Sequence, residues 1–376
     1  MELAIELLIA AVKALAVVAI VLQLTVLLLW VERKGSALIQ NRIGANRANL
    51  FGVMPFNTGL VNTMMADPVK MFTKEDFVPA GADHFLHWLA PFLSVWPILI
   101  TFACIPFGDE LRIGDRVIPL QVASLNVGVL YILATISIGV YGVVLAGWAS
   151  NNRWSLLGGI RGSAQMISYE LAMGLSLVAA VMTYGTLDLQ EMTRAQGTSL
   201  AAWLDFGSPV LDWIPAWGIW FQPLAFLIFL TAGMAESKRV PFDLPESESE
   251  LISGYYTEYS GGKQATFMFA DFAEIVLVSA LVTTLFFGGW QVPFLTREGF
   301  AFPWGGTLAL PHLLIVILQI TAFLAKVFFF CWFQILVRWT VPRFRYDQLM
   351  QLGWKGLLPL SLINVVLTSV VILLLQ

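Results

Sequence analysis

The chain has 376 residues, of which 58% are hydrophobic and only 12% are charged, and its formal net charge at pH 7 is −4. Soluble globular domains carry about a quarter charged residues, so this composition excludes an ordinary soluble domain. A mean hydropathy of +0.78 predicts an integral membrane protein instead.

Eight apolar runs are long enough to cross a bilayer as helices, since about 18 residues suffice. The sequence therefore predicts an all-α integral membrane protein, with one membrane domain over residues 1–376 and eight transmembrane helices. Their bounds are about 7–30, 88–107, 125–149, 161–184, 216–235, 267–289, 311–337 and 355–375. Because no short apolar segment with a small-residue cleavage site opens the chain, we expect the first helix to be retained.

Basic residues are distributed unevenly between the connecting loops. Most of the 21 Lys and Arg residues lie in or beside the odd-numbered loops, which are 31–87, 150–160, 236–266 and 338–354. The even-numbered loops carry only Arg112, Arg116, Arg194 and Arg297. By the positive-inside rule, the odd-numbered loops face the cytoplasm and both termini face the opposite side.

The first odd-numbered loop carries two features of a membrane surface, one at its start and one in its middle. The first predicted helix ends at Trp30 and runs into Glu32-Arg33-Lys34, where Lys34 is typical of a positive-inside anchor. Residues 50–72 carry apolar side chains at helical spacing opposite polar ones, which predicts an amphipathic helix lying in the membrane surface. Its apolar stripe fits ordinary lipid contact as well as a binding role.

Histidines and cysteines do not form a metal or haem pattern. His84 and His87 open the second span, whereas His312 opens the seventh from the opposite side of the membrane. Cys104 and Cys331 lie in different spans and indicate neither a disulfide framework nor a metal centre. We also find no phosphate-cradling glycine motif and no dinucleotide fingerprint. We therefore expect no metal, flavin, haem or nucleic acid to be bound by this chain.

Ionisable residues fall deep within three predicted spans. Glu170 lies about 13 Å of helix past Arg161, near the middle of the hydrocarbon core. A charge there costs roughly 2.5–3.5 kcal/mol, so a functional role is the first interpretation. Lys326 lies about 18 Å inside the seventh span and is either functional or a neutralised structural lysine. Asp271 and Glu274 share a face of the sixth span at i,i+3.

The third odd-numbered loop gathers charge in a chain that otherwise avoids it. Its carboxylates, with one in the following helix, are Glu236, Asp243, Glu246, Glu248, Glu250, Glu258 and Asp271. Asp243 and Glu246, with Pro245 between them, have the spacing of a capping box, which predicts a short helix beginning there. Glu246 and Glu250 would share a face of that helix, and their like charges would raise some carboxylate pKa values. A solvated acidic loop is the alternative interpretation.

Several long motifs occur in one order along the chain. They are Glu32–Gly35, Gln40–Arg47, Ala66–Lys70, Gly147–Asn152, Ile167–Glu170 and Pro342–Met350. Together with the acidic loop, they resemble the H subunit of the proton-pumping NADH:quinone oxidoreductases, respiratory complex I, nearly end to end. Two positions depart from the family's pattern: Ala45 stands where the family usually has proline, and Asp271 where it usually has glutamate.

The resemblance implies that the chain forms most of a tunnel that holds quinone, and that it relays charge toward proton translocation. The implied quinone-binding residues are Glu32, Arg33, Arg42, Asp67, Lys70 and Phe242. The implied proton-relay residues are Glu170, Tyr169, Glu236, Asp243, Glu246, Glu248, Glu250, Asp271 and Lys326. Guanidinium groups suit such a site because they stay charged and donate several hydrogen bonds.

The resemblance also implies the partners. Quinone, either ubiquinone or menaquinone, would be a bound substrate, and electrons would come from an iron–sulfur cluster in a neighbouring hydrophilic subunit. The other implied partners are membrane-arm subunits and lipids of a bacterial inner membrane, with both termini periplasmic. Two alternatives stay open: the equivalent subunit of a membrane-bound hydrogenase, and a secondary transporter that exchanges protons or cations. The lack of paired interrupted half-helices in the sequence weighs against a transporter.

Overall fold

The computed structural model describes residues 2–44, 64, 66–114, 116–204, 211–246, 248–302 and 304–375. In chain order its helices are α1 (Glu2–Ile39), α2 (Asp67–Thr73), α3 (His84–Thr101), α4 (Gly128–Ala149), α5 (Arg153–Tyr184), α6 (Leu189–Ala195), α7 (Leu200–Leu204), α8 (Gly218–Phe221), α9 (Pro223–Glu236), α10 (Glu248–Leu251), α11 (Gly261–Phe286), α12 (His312–Thr340), α13 (Tyr346–Gln351) and α14 (Leu358–Leu375). A 3-10 turn, Phe102–Cys104, extends α3, and a π-helical stretch, Leu352–Leu357, joins α13 to α14.

Seven helices in these ranges are long and apolar enough to cross a bilayer: α1, α3, α4, α5, α11, α12 and the continuous run that ends in α14. The predicted all-α membrane class is confirmed. The fifth predicted span, 216–235, is interrupted at Gln222, where α8 ends and α9 begins. Pro223 has no N–H to continue α8 and is suited to the first turn of a helix. The resulting α9 is about 21 Å long, shorter than a ~30 Å hydrocarbon core.

The first helix is longer than the apolar run predicts, because α1 continues through Glu32 and Arg33 to Ile39. Each of these charges has an ion-pair partner, Arg338 for Glu32 and Asp67 for Arg33. The predicted surface helix 50–72 falls mostly outside the described residues. Its described end is α2, which has proline in its first turn.

Ion pairs and hydrogen bonds join all four odd-numbered loops at one end of the bundle, which we call the odd-loop face. The pairs are Arg338 with Glu32, Arg343 with Asp243, Arg161 with Glu250, Lys263 with Asp76, and Asn152 with Glu258. These contacts bring loops from distant parts of the sequence together. A single composite surface results.

Within the described residues, the opposite end of the bundle carries two short β-hairpins that no sequence pattern predicted. Strands β1 (Glu110–Ile113) and β2 (Arg116–Pro119) pair antiparallel, as do β3 (Gly299–Ala301) and β4 (Thr307–Ala309). Asp109 is buried and accepts hydrogen bonds from Arg194 and Arg297, so it joins the three loops to which these residues belong.

Helix α11 lies at the centre of the packing. Every residue from Ala270 to Phe286 is buried. Asp271 and Glu274 therefore lie in the interior, where an ionised carboxylate is stable only with partners. Those partners come from the chain that follows α9.

Candidate functional site

A cavity of about 300 Å³ lies between α1, α2 and α11. Its lining is mostly apolar and includes Leu22, Met71 and Phe269. Arg33 and Asp67 are the charged residues of the lining, and they form an ion pair. Small-molecule sites typically have this combination of apolar walls and a few polar groups. Phe72, also part of the lining, is 82% exposed, so the cavity is open beside it.

Four of the six residues implied to bind quinone are not part of this lining: Glu32, Arg42, Lys70 and Phe242. Arg42 is exposed and donates a hydrogen bond from Nε to Gln40 at 2.7 Å. Lys70 is exposed on α2. Phe242 is buried, with its ring 5.7 Å from that of Tyr169 and 5.5 Å from that of Phe344. Phe242 thus packs in the core of the odd-loop face.

A buried charge cluster is centred on Lys238. Its ammonium is 3.2 Å from Asp271 Oδ1 and 3.2 Å from Glu274 Oε2, and all three side chains are at most 7% exposed. Lys238 has φ of 53°, in the left-handed region, which costs a non-glycine residue roughly 1–2 kcal/mol. This backbone turn at the end of α9 directs the ammonium between the two carboxylates.

Arg239 connects this cluster to α1. Its guanidinium lies 4.1 Å from the centre of the Phe272 ring, a cation–π contact, and 4.0 Å from Glu32 Oε2. Glu32 precedes Arg33 of the cavity and also pairs with Arg338. Glu32 therefore lies between the cavity and the buried charge cluster.

The capping-box prediction is wrong. Helix α10 begins at Glu248, while Pro245 and Glu246 lie in a turn. Asp243 pairs with Arg343 at 2.6 Å, so it does not cap a helix. The turn is held by close packing against Gly254, which has φ of 59°; a Cβ there would lie 1.6 Å from the Pro245 carbonyl oxygen.

Glu246 and Glu250 consequently do not share a helix face. Glu250 is exposed and pairs with Arg161 at 2.8 Å, whereas Glu246 is partly buried with a fully buried Oε1. The side chain of Glu248 lies outside the described part of the structure.

Two carboxyl groups of this loop have raised pKa values. Burial raises the pKa of Asp243 to about 6, although the guanidinium groups of Arg343 and Arg239 act in the opposite direction. Burial, followed by the neighbouring charge of Asp271, raises the pKa of Glu246 well above its ordinary value, against the effect of Arg239. Desolvation disfavours the charged form of a carboxyl group, so both groups can take up a proton closer to neutral pH.

Glu236 and Glu170 continue the acidic series into the membrane. Glu236 is 2% exposed, and neither carboxyl oxygen has a hydrogen-bond partner among the described residues. The charges that act on it are those of Glu274, Glu170 and Lys238. Glu170 accepts a hydrogen bond from Ser137 on α4. These groups thus form a series from the buried charge cluster to α5.

Two residues implied to relay protons have other contacts. Tyr169 donates from its hydroxyl to the Leu349 carbonyl at 2.9 Å, which ties α5 to α13. The Lys326 ammonium donates to three backbone carbonyls beyond the end of α11, and its Nζ lies 4.7 Å from the centre of the Trp217 ring. This arrangement is the one expected of a structural lysine.

No motif or spacing predicted a site role for Lys238, Arg239 or Arg338, whose charges indicated only the positive-inside orientation. Their position beside the acidic loop and at helix ends was the available signal. In the part of the chain that the structure describes, no group of three or more His, Cys, Asp or Glu side chains is suited to a metal ion.

Comparison with known proteins agrees with the resemblance found in the motifs. A family model described as NADH dehydrogenase matches residues 12–369. The chain is 45% identical over 345 residues to the NADH-quinone oxidoreductase H subunit 1 of Cytophaga hutchinsonii, covering 92% of this chain and 91% of that protein. It is 46% identical over 357 residues to the NADH-quinone oxidoreductase H subunit 2 of Geobacter sulfurreducens, covering 94% and 93%. It is 39% identical over 373 residues to the corresponding H subunit of Bdellovibrio bacteriovorus, covering 96% and 95%. The chain therefore belongs to the H-subunit family of the NADH-quinone oxidoreductases, the proton-translocating complex I class.

Proposed function

We propose that the cavity between α1, α2 and α11 binds quinone and that the buried charge cluster carries the charge of quinone reduction into the membrane. The observation that supports this most directly is the position of Glu32. It lies on α1 between Leu29 and Arg33, which both line the cavity, and it is beside Arg239, which acts electrostatically on Glu246 and Asp243. A site for the substrate and a set of titratable groups are thereby adjacent.

The cavity has the chemistry that a quinone requires. Its apolar walls suit an isoprenoid tail, and the Arg33 guanidinium can donate hydrogen bonds to a quinone carbonyl. The Arg33–Asp67 ion pair is partly exposed, and such pairs contribute only about 0–1 kcal/mol. Arg33 can therefore exchange part of its contact with Asp67 for a quinone oxygen at little cost.

The proposed relay begins with groups that can change protonation. Reduction of quinone to quinol takes up two electrons and two protons, so negative charge appears transiently in the cavity. The electrons come from a neighbouring subunit, while the raised pKa values of Asp243 and Glu246 allow a charge-linked proton uptake beside Arg239. From Glu246 the charges continue through Asp271, Lys238 and Glu274 to Glu236 and Glu170.

Some predicted residues are left out of this path. The relay roles of Tyr169, Glu248, Glu250 and Lys326 and the quinone contacts of Arg42, Lys70 and Phe242 stay predictions. Glu250 pairs with an arginine at the surface, and Lys326 binds backbone carbonyls away from the cluster.

We further propose that the odd-loop face is cytoplasmic and docks the hydrophilic subunits that carry the electron-donating iron–sulfur cluster. The concentration of basic residues in these loops supports that orientation in a bacterial inner membrane, with both termini periplasmic and the whole chain forming one membrane domain. Other membrane-arm subunits and lipids would surround the helices.

The test is Arg33→Met in the assembled complex, with Arg116→Met on the opposite face as the matched control. We expect the quinone reductase kcat/KM of the first variant to fall roughly 10-fold or more, because a hydrogen bond to a charged group is lost. NADH oxidation by a soluble artificial acceptor should stay normal in both variants. Unchanged quinone kinetics in Arg33→Met would contradict the proposed site. Activity without any quinone requirement would favour the transporter or hydrogenase alternative.

A further inference from the structure

A second, much smaller cavity lies beside the buried charge cluster. It measures about 10 Å³, enough for one water molecule. Its polar lining comes from three separate parts of the fold: Glu32 of α1, Ser237 and Arg239 after α9, and Gln334 and Arg338 of α12. The Ser237 hydroxyl donates to the Met234 carbonyl at 3.0 Å. The small cavity therefore lies beside Glu32 and Arg239, the two residues that connect the large cavity to the charge cluster.

Two of these lining residues have a buried polar atom that lacks a protein partner among the described residues. They are Nε of Arg239, a donor, and Oε1 of Gln334, an acceptor. Gln334 is only 5% exposed. Buried polar groups are nearly always hydrogen-bonded to protein or to ordered water, so this complementary pair points to a shared ligand that both accepts and donates.

The orientation of the Gln334 amide follows from its other contacts. Its Nε2 lies 3.4 Å from the Ile275 carbonyl and 2.8 Å from Ser279 Oγ. A carbonyl oxygen can only accept, so the amide nitrogen must face α11. The Oε1 atom is therefore directed away from α11.

Glu32 and Arg239 are also separated by a gap that a water molecule could bridge. Their closest charged atoms are 4.0 Å apart, which is longer than a direct hydrogen bond of about 2.7–3.2 Å. Polar groups at such a separation are commonly joined through a bridging water. The small cavity is lined by both residues.

We propose that this cavity binds one ordered water molecule, which accepts a hydrogen bond from Arg239 Nε and donates to Gln334 Oε1 and to the Glu32 carboxylate. Gln334 is then a positioning residue for the relay, since it fixes the water that joins Glu32 to Arg239. Three hydrogen bonds are the usual number for a buried water. The functional part of this inference rests on the proposed relay, whereas the water site does not.

The first test is a cryo-EM map of the intact complex at a resolution that shows ordered water. We expect density within about 2.7–3.2 Å of Arg239 Nε, Gln334 Oε1 and a Glu32 oxygen. A dry cavity, with Arg239 bonded directly to Glu32, would overturn the proposal. This test needs no variant and decides the matter even where a variant fails to assemble.

The second test uses Gln334→Met, which keeps the length of the side chain and removes its hydrogen bonds. We expect the water density to disappear and kcat for quinone reduction to fall roughly 10-fold with little change in KM, because the hydrogen bond lost is part of a charged network. Gln334→Asn, which keeps the amide donor and acceptor on a side chain one methylene shorter, should retain part of the activity. Gln319→Met is the matched control, because Gln319 is a buried glutamine of the same helix whose Oε1 accepts a hydrogen bond from the backbone N–H of Asp109. We expect its kcat for quinone reduction to change less than about twofold.

The outcomes separate this inference from the proposed function. If Arg33→Met impairs quinone reduction and Gln334→Met does not, the water link is wrong while the quinone site stands. If neither variant changes quinone kinetics and the water is present, the relay that it serves is wrong. Reduced turnover in Gln334→Met with the water density still in place would also overturn the proposed role of Gln334.

Discussion

Replacing Lys238 with methionine removes the only cation that contacts both Asp271 and Glu274 among the described residues. The two distances are 3.2 Å each, and the three side chains are almost completely buried. Burial by itself would lower the pKa of Lys238, but the charges of Glu274, Asp271 and Glu246 raise it above its ordinary value, so the side chain is charged at neutral pH. Breaking a buried pair by removing one partner costs about 3–5 kcal/mol.

We therefore expect Lys238→Met to lower the thermal stability of the complex clearly and to force one carboxylate of the cluster to hold a proton. A carboxyl group held protonated cannot respond to charge in the cavity, so quinone reductase activity should fall more than about tenfold in the complexes that do assemble. Oxidation of NADH by a soluble artificial acceptor reports assembly of the hydrophilic arm and should be normal in those complexes.

A double-mutant cycle separates charge from packing. Lys238→Met combined with Glu274→Gln removes one negative charge together with the positive one, so we expect the pair to recover at least half of the stability lost in Lys238→Met. Activity should not return, because the relay lacks two of its groups. Stability that is unchanged in the single variant, or additive losses in the double variant, would refute the account of the cluster as mutually dependent charges.

Three further predictions concern groups outside this cluster. Asp243→Asn should remove an inflection near pH 6 from the pH profile of quinone reduction. Folding raises the Asp243 pKa from an ordinary value of 3.8 to about 6, so between these two pH values the folded chain holds a proton that the unfolded chain has released. The stability of the folded chain should therefore fall as pH rises through this window. Thermal unfolding of the Asp243→Asn variant should lack this trend. Asp109→Asn should lower the free energy of unfolding by about 1–3 kcal/mol, because it weakens the ion pairs of Asp109 with Arg194 and Arg297. The KM for quinone should not change, since these pairs join loops at the end of the bundle opposite the odd-loop face. A changed KM would show that these loops affect the quinone site. Lys326→Met should reduce stability while leaving the number of protons pumped per NADH unchanged in proteoliposomes, and a lower ratio would support the relay role predicted from the sequence.

The helices could be predicted because apolar length is a local property of the sequence. The runs that contain Glu170 and Asp271 are each long enough to span, and the i,i+3 spacing placed Glu274 on the same face as Asp271. The placement of Arg33 and Asp67 in one cavity came from resemblance to a family, not from spacing. Local pattern thus identified the charges that lie within long apolar runs, but not Lys238 and Arg239, which follow the end of a helix.

The partners of those charges could not be predicted, because they come from distant parts of the chain. Arg338 reaches Glu32 from the far end of the sequence, and Lys238 is directed inward by a left-handed backbone turn that no local signal requires of a lysine. The capping-box spacing of Asp243 and Glu246 was misleading because a tertiary contact, the Asp243–Arg343 ion pair, replaced the helix cap.

The most direct test of a proton relay through the buried carboxylates is the number of protons pumped per NADH, measured together with quinone turnover, in proteoliposomes that contain the Glu236→Gln variant. Glu236 is buried without a hydrogen-bond partner among the described residues, and it lies between the cluster and Glu170. Glutamine keeps its size but cannot ionise. We expect turnover and pumping to fall together, while artificial-acceptor activity is unchanged. Normal turnover with a normal proton ratio would contradict a relay through the buried carboxylates.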